Sequence, residues 1–158
     1  MSDTSVVSYD SQWPVLFEQE RQRLGVVLEP FGPIIEHVGS TSVEGLAAKP
    51  TIDFSIGLED QAALDCTGEE RWKAGSTEGL KPQGSDTHKK MVEAICSLGY
   101  QYRGEHGIPG RPFFAKDVNG ARVCNLHVTD LDHYERRQQI GFRDYLRKHP
   151  DLVVEYAR

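Results

Sequence analysis

Between His37 and Asp53 the chain gathers residue types that bind anions and move protons: His37-Val38-Gly39-Ser40-Thr41-Ser42, then Lys49-Pro50-Thr51-Ile52-Asp53. Gly39 can take a positive φ and lets a ligand approach the backbone. Ser40, Thr41 and Ser42 offer hydroxyls and exposed N–H groups, which suit phosphate or carboxylate oxygens. Lys49 adds a point charge. Asp53 follows on a strand, where a carboxylate can hold a divalent cation or take up a proton. The same residues also suit a plain Ser/Thr-rich turn with a capping aspartate, and the local chemistry leaves both readings open.

Further along, His127 is expected on the polar side of a strand, and with His37 and Asp53 it would make a three-ligand metal set. Glu105 and Arg111 bracket the loop Glu105-His106-Gly107-Ile108-Pro109-Gly110-Arg111. Pro109 restrains what the glycines would otherwise allow. Arg111 can fork onto a carboxylate or phosphate, and Glu105 can act as a base or pair with arginine. A Glu–Arg pair that only pins the loop is the equal alternative. Arg143, Asp144 and Arg147 have the i, i+1, i+4 spacing of a helical ion-pair face.

The elements that must position these groups are legible in the hydrophobic pattern. Trp13, Phe17, Leu24 and Leu28 recur at helical spacing over about 11–28, and Pro30 with Gly32-Pro33 stops that helix. Residues 34–38 read as a short strand. In 51–56, Ile52, Phe54 and Ile56 alternate with Thr51, Asp53 and Ser55, a strand with one buried and one polar face. Residues 88–98 carry a helical stripe, Met91, Val92, Ile95 and Leu98, that stops at Gly99. Strands at 112–118 and 122–128 flank Asn119-Gly120, a type I′ hairpin signal. The second puts Cys124, Leu126 and Val128 on one side and Asn125 and His127 on the other. A long helix follows over 132–148, then a short last one. The stretch at about 59–87 is rich in Gly, Ser and charge without periodicity, and reads as an extended loop insertion.

The 158 residues suit one domain, and the balance of eighteen basic against twenty-four acidic residues gives a net charge of −6. Such a surface repels a nucleic-acid backbone in general, so broad nucleic-acid binding is not expected. A local basic pocket for one small anionic ligand is compatible with it, since seven arginines from Arg103 to Arg147, Arg122 and Arg136 among them, lie in the last third. No apolar run reaches the roughly 20 residues of a membrane span, and the first ten residues lack the pattern of a secretory leader. Cys66, Cys96 and Cys124 form no CxxC pair and read as reduced thiols, so a cytoplasmic location is expected.

The run HVGSTSVEGLAAKPTIDFSI resembles the signature of the GrpB-like family, a GST-x-V-x-GL-x-x-KP-x-x-D pattern. Gly99-Tyr100 with 104–111, and Leu126-His127-Val128 followed by 141–147, match it in the same order, so the resemblance covers most of the chain outside 59–87. The family is placed in the nucleotidyltransferase superfamily. The resemblance therefore implies an α/β (α+β) fold with a nucleotidyltransferase-like mixed β-sheet flanked by helices, as a single domain over 1–158. It also implies a turn at Gly39-Ser40 that binds nucleotide phosphates and carboxylates that hold Mg²⁺, with Asp53 as the first.

Asn125 and Arg143 would line the ligand pocket, Thr41 and Ser42 would support it, and Glu105 and His127 would join Asp53 as catalytic groups. Two positions depart from the pattern: Ser55 stands where a second carboxylate is expected, and Asn125 where relatives carry the first histidine of an H-x-H strand. One carboxylate with imidazoles favours a single nitrogen-tolerant metal such as Mn²⁺ or Zn²⁺ over a pair of Mg²⁺ ions. The expected activity is that of a diverged nucleotidyltransferase-fold enzyme acting on a small anionic or nucleotide-like substrate, either as a nucleotidyltransferase-like transferase or as a diverged small-metabolite enzyme on that scaffold. The alternative is a non-catalytic accessory module, like the domain fused to dephospho-coenzyme A kinase. Oligomeric state is not legible in the sequence.

Overall fold

The computed structural model of the chain describes residues 5–67, 71, 73, 76 and 78–156. Helix α1 (Trp13–Leu28) starts with Pro14 in its first turn and buries Trp13, Leu24 and Leu28. Asp10 Oδ1 accepts the N–H of Gln12 at 2.8 Å and so fixes the entry. A 3₁₀ turn over Glu29–Phe31 and Gly32 at φ 67° end the helix, where the prolines and glycine predicted a stop. The chain then forms strand β1 (Pro33–Val38), a 3₁₀ turn at Ser40–Ser42 and strand β2 (Ile52–Leu58).

Helix α2 (Asp86–Cys96) begins two residues before the expected start at 88, because Ser85 Oγ caps it by accepting the N–H of His88 at 3.1 Å. A two-residue strand β3 (Gln101–Tyr102), strand β4 (Phe113–Val118) and strand β5 (Ala121–Asp130) follow. Asn119 and Gly120 both take positive φ (53° and 80°), as a type I′ hairpin between β4 and β5 requires. Helices α3 (Tyr134–Lys148) and α4 (Pro150–Tyr156) close the described chain.

The five strands form one mixed sheet in the order β1-β2-β5-β4-β3, in which only β2 and β5 run parallel. The fold is thus α+β, a single mixed sheet flanked by helices. One face packs against α1 and α2, and Phe54, Ile56, Leu58, Leu126, Val128 and Met91 are at most 1% exposed there. Each such side chain contributes roughly 1.5–3 kcal/mol of burial, so this face holds the fold. The opposite face carries Asp53, Ser55 and Gly57 of β2 beside Asn125, His127 and Thr129 of β5, paired in that register. Helix α3 packs across this face onto β2 and β1.

The segment read as a loop insertion falls partly outside the described residues. Its described ends are packed rather than extended: Ala63, in a 3₁₀ turn over Gln61–Leu64, is fully buried, and its carbonyl accepts from His88 Nδ1 at 2.7 Å. Among the described residues no helix is long and apolar enough to cross a membrane.

Candidate functional site

The turn after β1 and the carboxylate on β2 touch. Gly39 has φ 76° and ψ −176°, and a Cβ built on it would lie 2.7 Å from Asp53 Oδ2. A glycine is needed twice over, for a backbone region nearly closed to other residues and for the close approach of the carboxylate. Ser40, Thr41, Lys49, Asp53 and Asn125 line one open cleft of about 440 Å³, with Ala47 and Ala48 at its wall. A larger cleft of about 470 Å³ lies behind the turn, against Val43, Leu146 and Val153, and lacks the turn–carboxylate pair. The smaller one holds the chemistry.

Asp53 uses one oxygen for the protein. Its Oδ1 accepts from Asn125 Nδ2 at 3.1 Å and stands 3.3 Å from His127 Nε2. Oδ2, next to Gly39, has no hydrogen-bond donor among the described residues. Behind Asp53 a buried chain of charge continues: His127 Nδ1 lies 3.2 Å from Glu135 Oε1, and Arg111 Nη1 donates to both Glu135 oxygens at 3.0 and 3.1 Å. Burial disfavours charge on His127, but its hydrogen bonds to Asp53 and Glu135 outweigh that and raise its pKa. On Glu135 burial likewise opposes the charge, while His127 and Arg111 prevail and lower the carboxyl. His127 thus links the two carboxylates, and its Nδ1 also lies 3.0 Å from Arg111 Nη1. Arg122 extends the chain on the other side, donating to Asn125 Oδ1 at 3.0 Å and to Asp117 Oδ1 at 2.6 Å.

Several residues expected in the ligand pocket are engaged elsewhere. Ser42 gives its hydroxyl to the Gly39 carbonyl and lines the larger cleft. Thr41 is 2% exposed, and its hydroxyl donates to the Thr51 carbonyl at 3.3 Å. Arg143 pairs with Glu36 and donates to the His37 carbonyl at 3.0 Å, and Arg147 holds the Ser42 carbonyl at 2.7 and 3.0 Å. These α3 arginines clamp the turn from behind instead of facing a ligand. Arg111 is likewise consumed by Glu135 and by the carbonyls of Glu105 and His106. Glu105 accepts the Gly110 N–H through one carboxylate oxygen and so ties its own loop together.

His37 departs furthest from expectation. It pairs in register with Phe54, whereas Asp53 pairs with Val38, so His37 and Asp53 lie on opposite faces of the sheet. Its ring stacks on Phe17 at 4.7 Å, and Nε2 contacts Thr41 Oγ1 at 2.9 Å. That hydroxyl donates to Thr51, which leaves it to accept from the Nε2–H of His37. Burial, then the nearby charge of Arg147, pushes its pKa down to about 4.

The stability this neutral ring provides is complete above its ordinary pKa of 6.5 and is lost as pH falls toward and through about 4. A loss of about 3 kcal/mol over that interval is expected. Urea midpoints followed through it should show a slope that His37→Gln flattens.

The residues present do not make a metal cage. Among the described residues no group of three or more His, Cys, Asp or Glu is placed to hold an ion. His37 is on the wrong face, both His127 nitrogens are occupied, and Ser55 supplies only a neutral hydroxyl. That hydroxyl sits 3.3 Å from the Arg136 guanidinium.

Glu135 and Arg136 were not singled out by sequence reasoning as site residues. An acid in the first turn of a helix was the available signal, but only the register of α3 shows that it points under the sheet's polar face. His133 sets that register: its Nδ1 accepts the Glu135 N–H at 3.1 Å and its Nε2 donates to the Pro109 carbonyl at 2.9 Å.

The sequence profile of the GrpB protein family matches residues 3–75 and 80–158. The chain is similar to the UPF0157 protein YqkA of Bacillus subtilis (strain 168), 32% identical over 152 residues that cover 96% of this chain and 37% of that one. It is similar in structure to the conserved protein GrpB from Enterococcus faecalis, with a TM-score of 0.76 and 28% identity, covering 97% of this chain and 78% of that one. A dephospho-CoA kinase of Mycolicibacterium paratuberculosis (strain ATCC BAA-968 / K-10) is 28% identical over 155 residues, 96% of this chain and 37% of that protein. The chain spans 37% and 53% of the lengths of the first two curated relatives it matches. With a family match along nearly its whole length and a solved GrpB protein of the same fold, the chain belongs to the GrpB protein family.

Proposed function

We propose that the cleft beside Gly39 binds a small anionic or nucleotide-like substrate and that Asp53 acts on it as a proton acceptor, in an enzyme on a nucleotidyltransferase-related scaffold. Lys49 and Ser40 hold the anionic group. The contact that carries this reading is the one between the turn and the carboxylate: Asp53 Oδ2 lies against Gly39 inside the cleft, while Oδ1 is fixed by Asn125 and His127. A carboxylate anchored by one oxygen and open on the other is oriented for proton transfer without reorganising. The contacts of His127 and Asn125 with Oδ1 keep Asp53 in place when an anion arrives.

Titration calorimetry with inorganic phosphate and adenosine monophosphate tests the binding half. Lys49→Glu is expected to weaken both by about tenfold, the effect of turning an attractive charge into a repulsive one at a partly exposed site. Asp53→Asn preserves the acceptor at Oδ1 and is expected to change affinity by less than about threefold while removing turnover. If the unaltered protein binds neither probe, the ligand class is wrong. The relative named dephospho-CoA kinase, in which a segment like this chain makes up 37% of the protein, favours a second reading, a non-catalytic accessory module. In that case Asp53→Asn leaves function intact and Lys49→Glu does not.

A further inference from the structure

Beyond Asp53, the next position of β2 on the polar face is Ser55, opposite His127, and the next after that is Gly57. A guanidinium occupies this row. Arg136 is 7% exposed, and its Nη1 donates to Ser55 Oγ at 3.3 Å and, at the limit of a hydrogen bond, to the Ser55 carbonyl at 3.5 Å. Gly57 makes the room: a Cβ there would stand 3.0 Å from both Nε and Cζ of Arg136.

The hydrogen bonds found for this side chain among the described residues thus go to a neutral residue. The carboxylate that acts on it electrostatically, Glu36, is itself paired with Arg143. A buried cation whose own shell is neutral is disfavoured unless an anion completes it. Burial accordingly pulls the Arg136 pKa below its ordinary value.

We infer that Arg136 occupies the place beside Ser55, the next polar-face position after Asp53, where a divalent cation would otherwise stand, so that the cleft neutralises its anionic ligand with protein cations and works without a metal. This rests on the reading of the cleft as an anion site. A metal ion bridging Asp53 to the position of Ser55 would sit against a fixed positive charge at a separation where like charges repel strongly in a partly buried site. Lys49 at the cleft, Arg122 bonded to Asn125 and Arg136 bonded to Ser55 supply this face of the sheet with positive charge. Arg136 is a positioning charge and not a catalytic residue, since the bound group meets Asp53 and Lys49 first.

The test separates this inference from the ligand reading. Electron paramagnetic resonance of Mn²⁺ added to the protein alone is expected to show the free-ion signal undiminished, and equally so in Asp53→Asn. A bound Mn²⁺ population that Asp53→Asn removes would overturn the inference, whatever the ligand proves to be. Adenosine monophosphate affinity is expected to differ by less than about threefold between EDTA and excess Mn²⁺. A Mn²⁺-dependent tightening of tenfold or more that Asp53→Asn abolishes would overturn it as well. Arg136→Met keeps the bulk and removes the charge, and in EDTA it is expected to weaken adenosine monophosphate by about tenfold, with Arg136→Lys retaining most of the affinity. Unchanged affinity in Arg136→Met removes Arg136 from the site. Absence of any nucleotide binding would count against the ligand class alone, and the Mn²⁺ measurement would still decide the metal.

Discussion

Arg111→Met is expected to destabilise the fold by about 3–5 kcal/mol, the range for removing one partner from a buried ion pair. Arg111 is 4% exposed and is the only cation paired with Glu135 besides His127 among the described residues. Its second amino group also holds the carbonyls of Glu105 and His106, so the 104–111 loop loses its anchor at the same time. Methionine fills the volume, which isolates charge and hydrogen bonding from packing.

The pH dependence of the loss distinguishes this network from ordinary destabilisation. Glu135 has a lowered pKa, so its contribution is present above its ordinary value of 4.5 and is lost as pH falls through the lower folded value. His127 has a raised pKa, so its contribution is complete below its ordinary 6.5 and is lost as pH rises through the higher folded value. Stability from the pair therefore peaks between those limits. In Arg111→Met the acid limb should move upward, because Glu135 loses its strongest fixed counter-charge, while the alkaline limb from His127 persists. Urea midpoints from acid to mildly alkaline pH read both limbs. A midpoint within about 1 kcal/mol of the parent at every pH, the usual value for an exposed pair, would show that the network carries no such energy.

The parts of this fold that rest on periodicity could be read without coordinates. The alternation in β2 announced a polar face bearing Asp53, and Asn119-Gly120 announced the hairpin that puts Asn125 and His127 on the same face. Both follow from local rules: the two-residue period of a strand and the positive φ of a type I′ turn. Residues whose role depends on a rotation about an element were not legible. His37 is two residues before Gly39, which suggested a shared cleft. The antiparallel register pairs it with Phe54 and turns it into the core. Arg143 was expected to line the pocket and Arg147 to join an ion-pair face, yet their place on α3 directs both to backbone carbonyls at the turn. Glu135 and Arg136 are adjacent in sequence and reach two different strands of the site, Glu135 to His127 and Arg136 to Ser55. No spacing rule for an isolated helix assigns such a division, because it depends on how α3 crosses the sheet.

Gly39→Ala is the substitution that tests the site's geometry most directly, and it is expected to destabilise by about 2–4 kcal/mol and to remove binding of the anionic probes. Two contributions combine. The backbone at φ 76°, ψ −176° lies in a region essentially restricted to glycine, a penalty of about 1–3 kcal/mol. The added methyl group would then meet Asp53 Oδ2 at 2.7 Å, inside any real contact distance, and the carboxylate cannot swing away without giving up Asn125 and His127. Gly120→Ala supplies the comparison. Its φ is 80°, but nothing lies within 4 Å of the added carbon, so only backbone strain of about 1 kcal/mol is expected.

Pairing Gly39→Ala with Asp53→Ala completes a double-mutant cycle. If the contact between turn and carboxylate is what the methyl group violates, the second change relieves part of the first, and the coupling should reach about 1–2 kcal/mol. Strictly additive losses would mean that the alanine at position 39 suffers from its backbone alone. The turn and Asp53 would then not share the cleft wall on which the proposed chemistry depends.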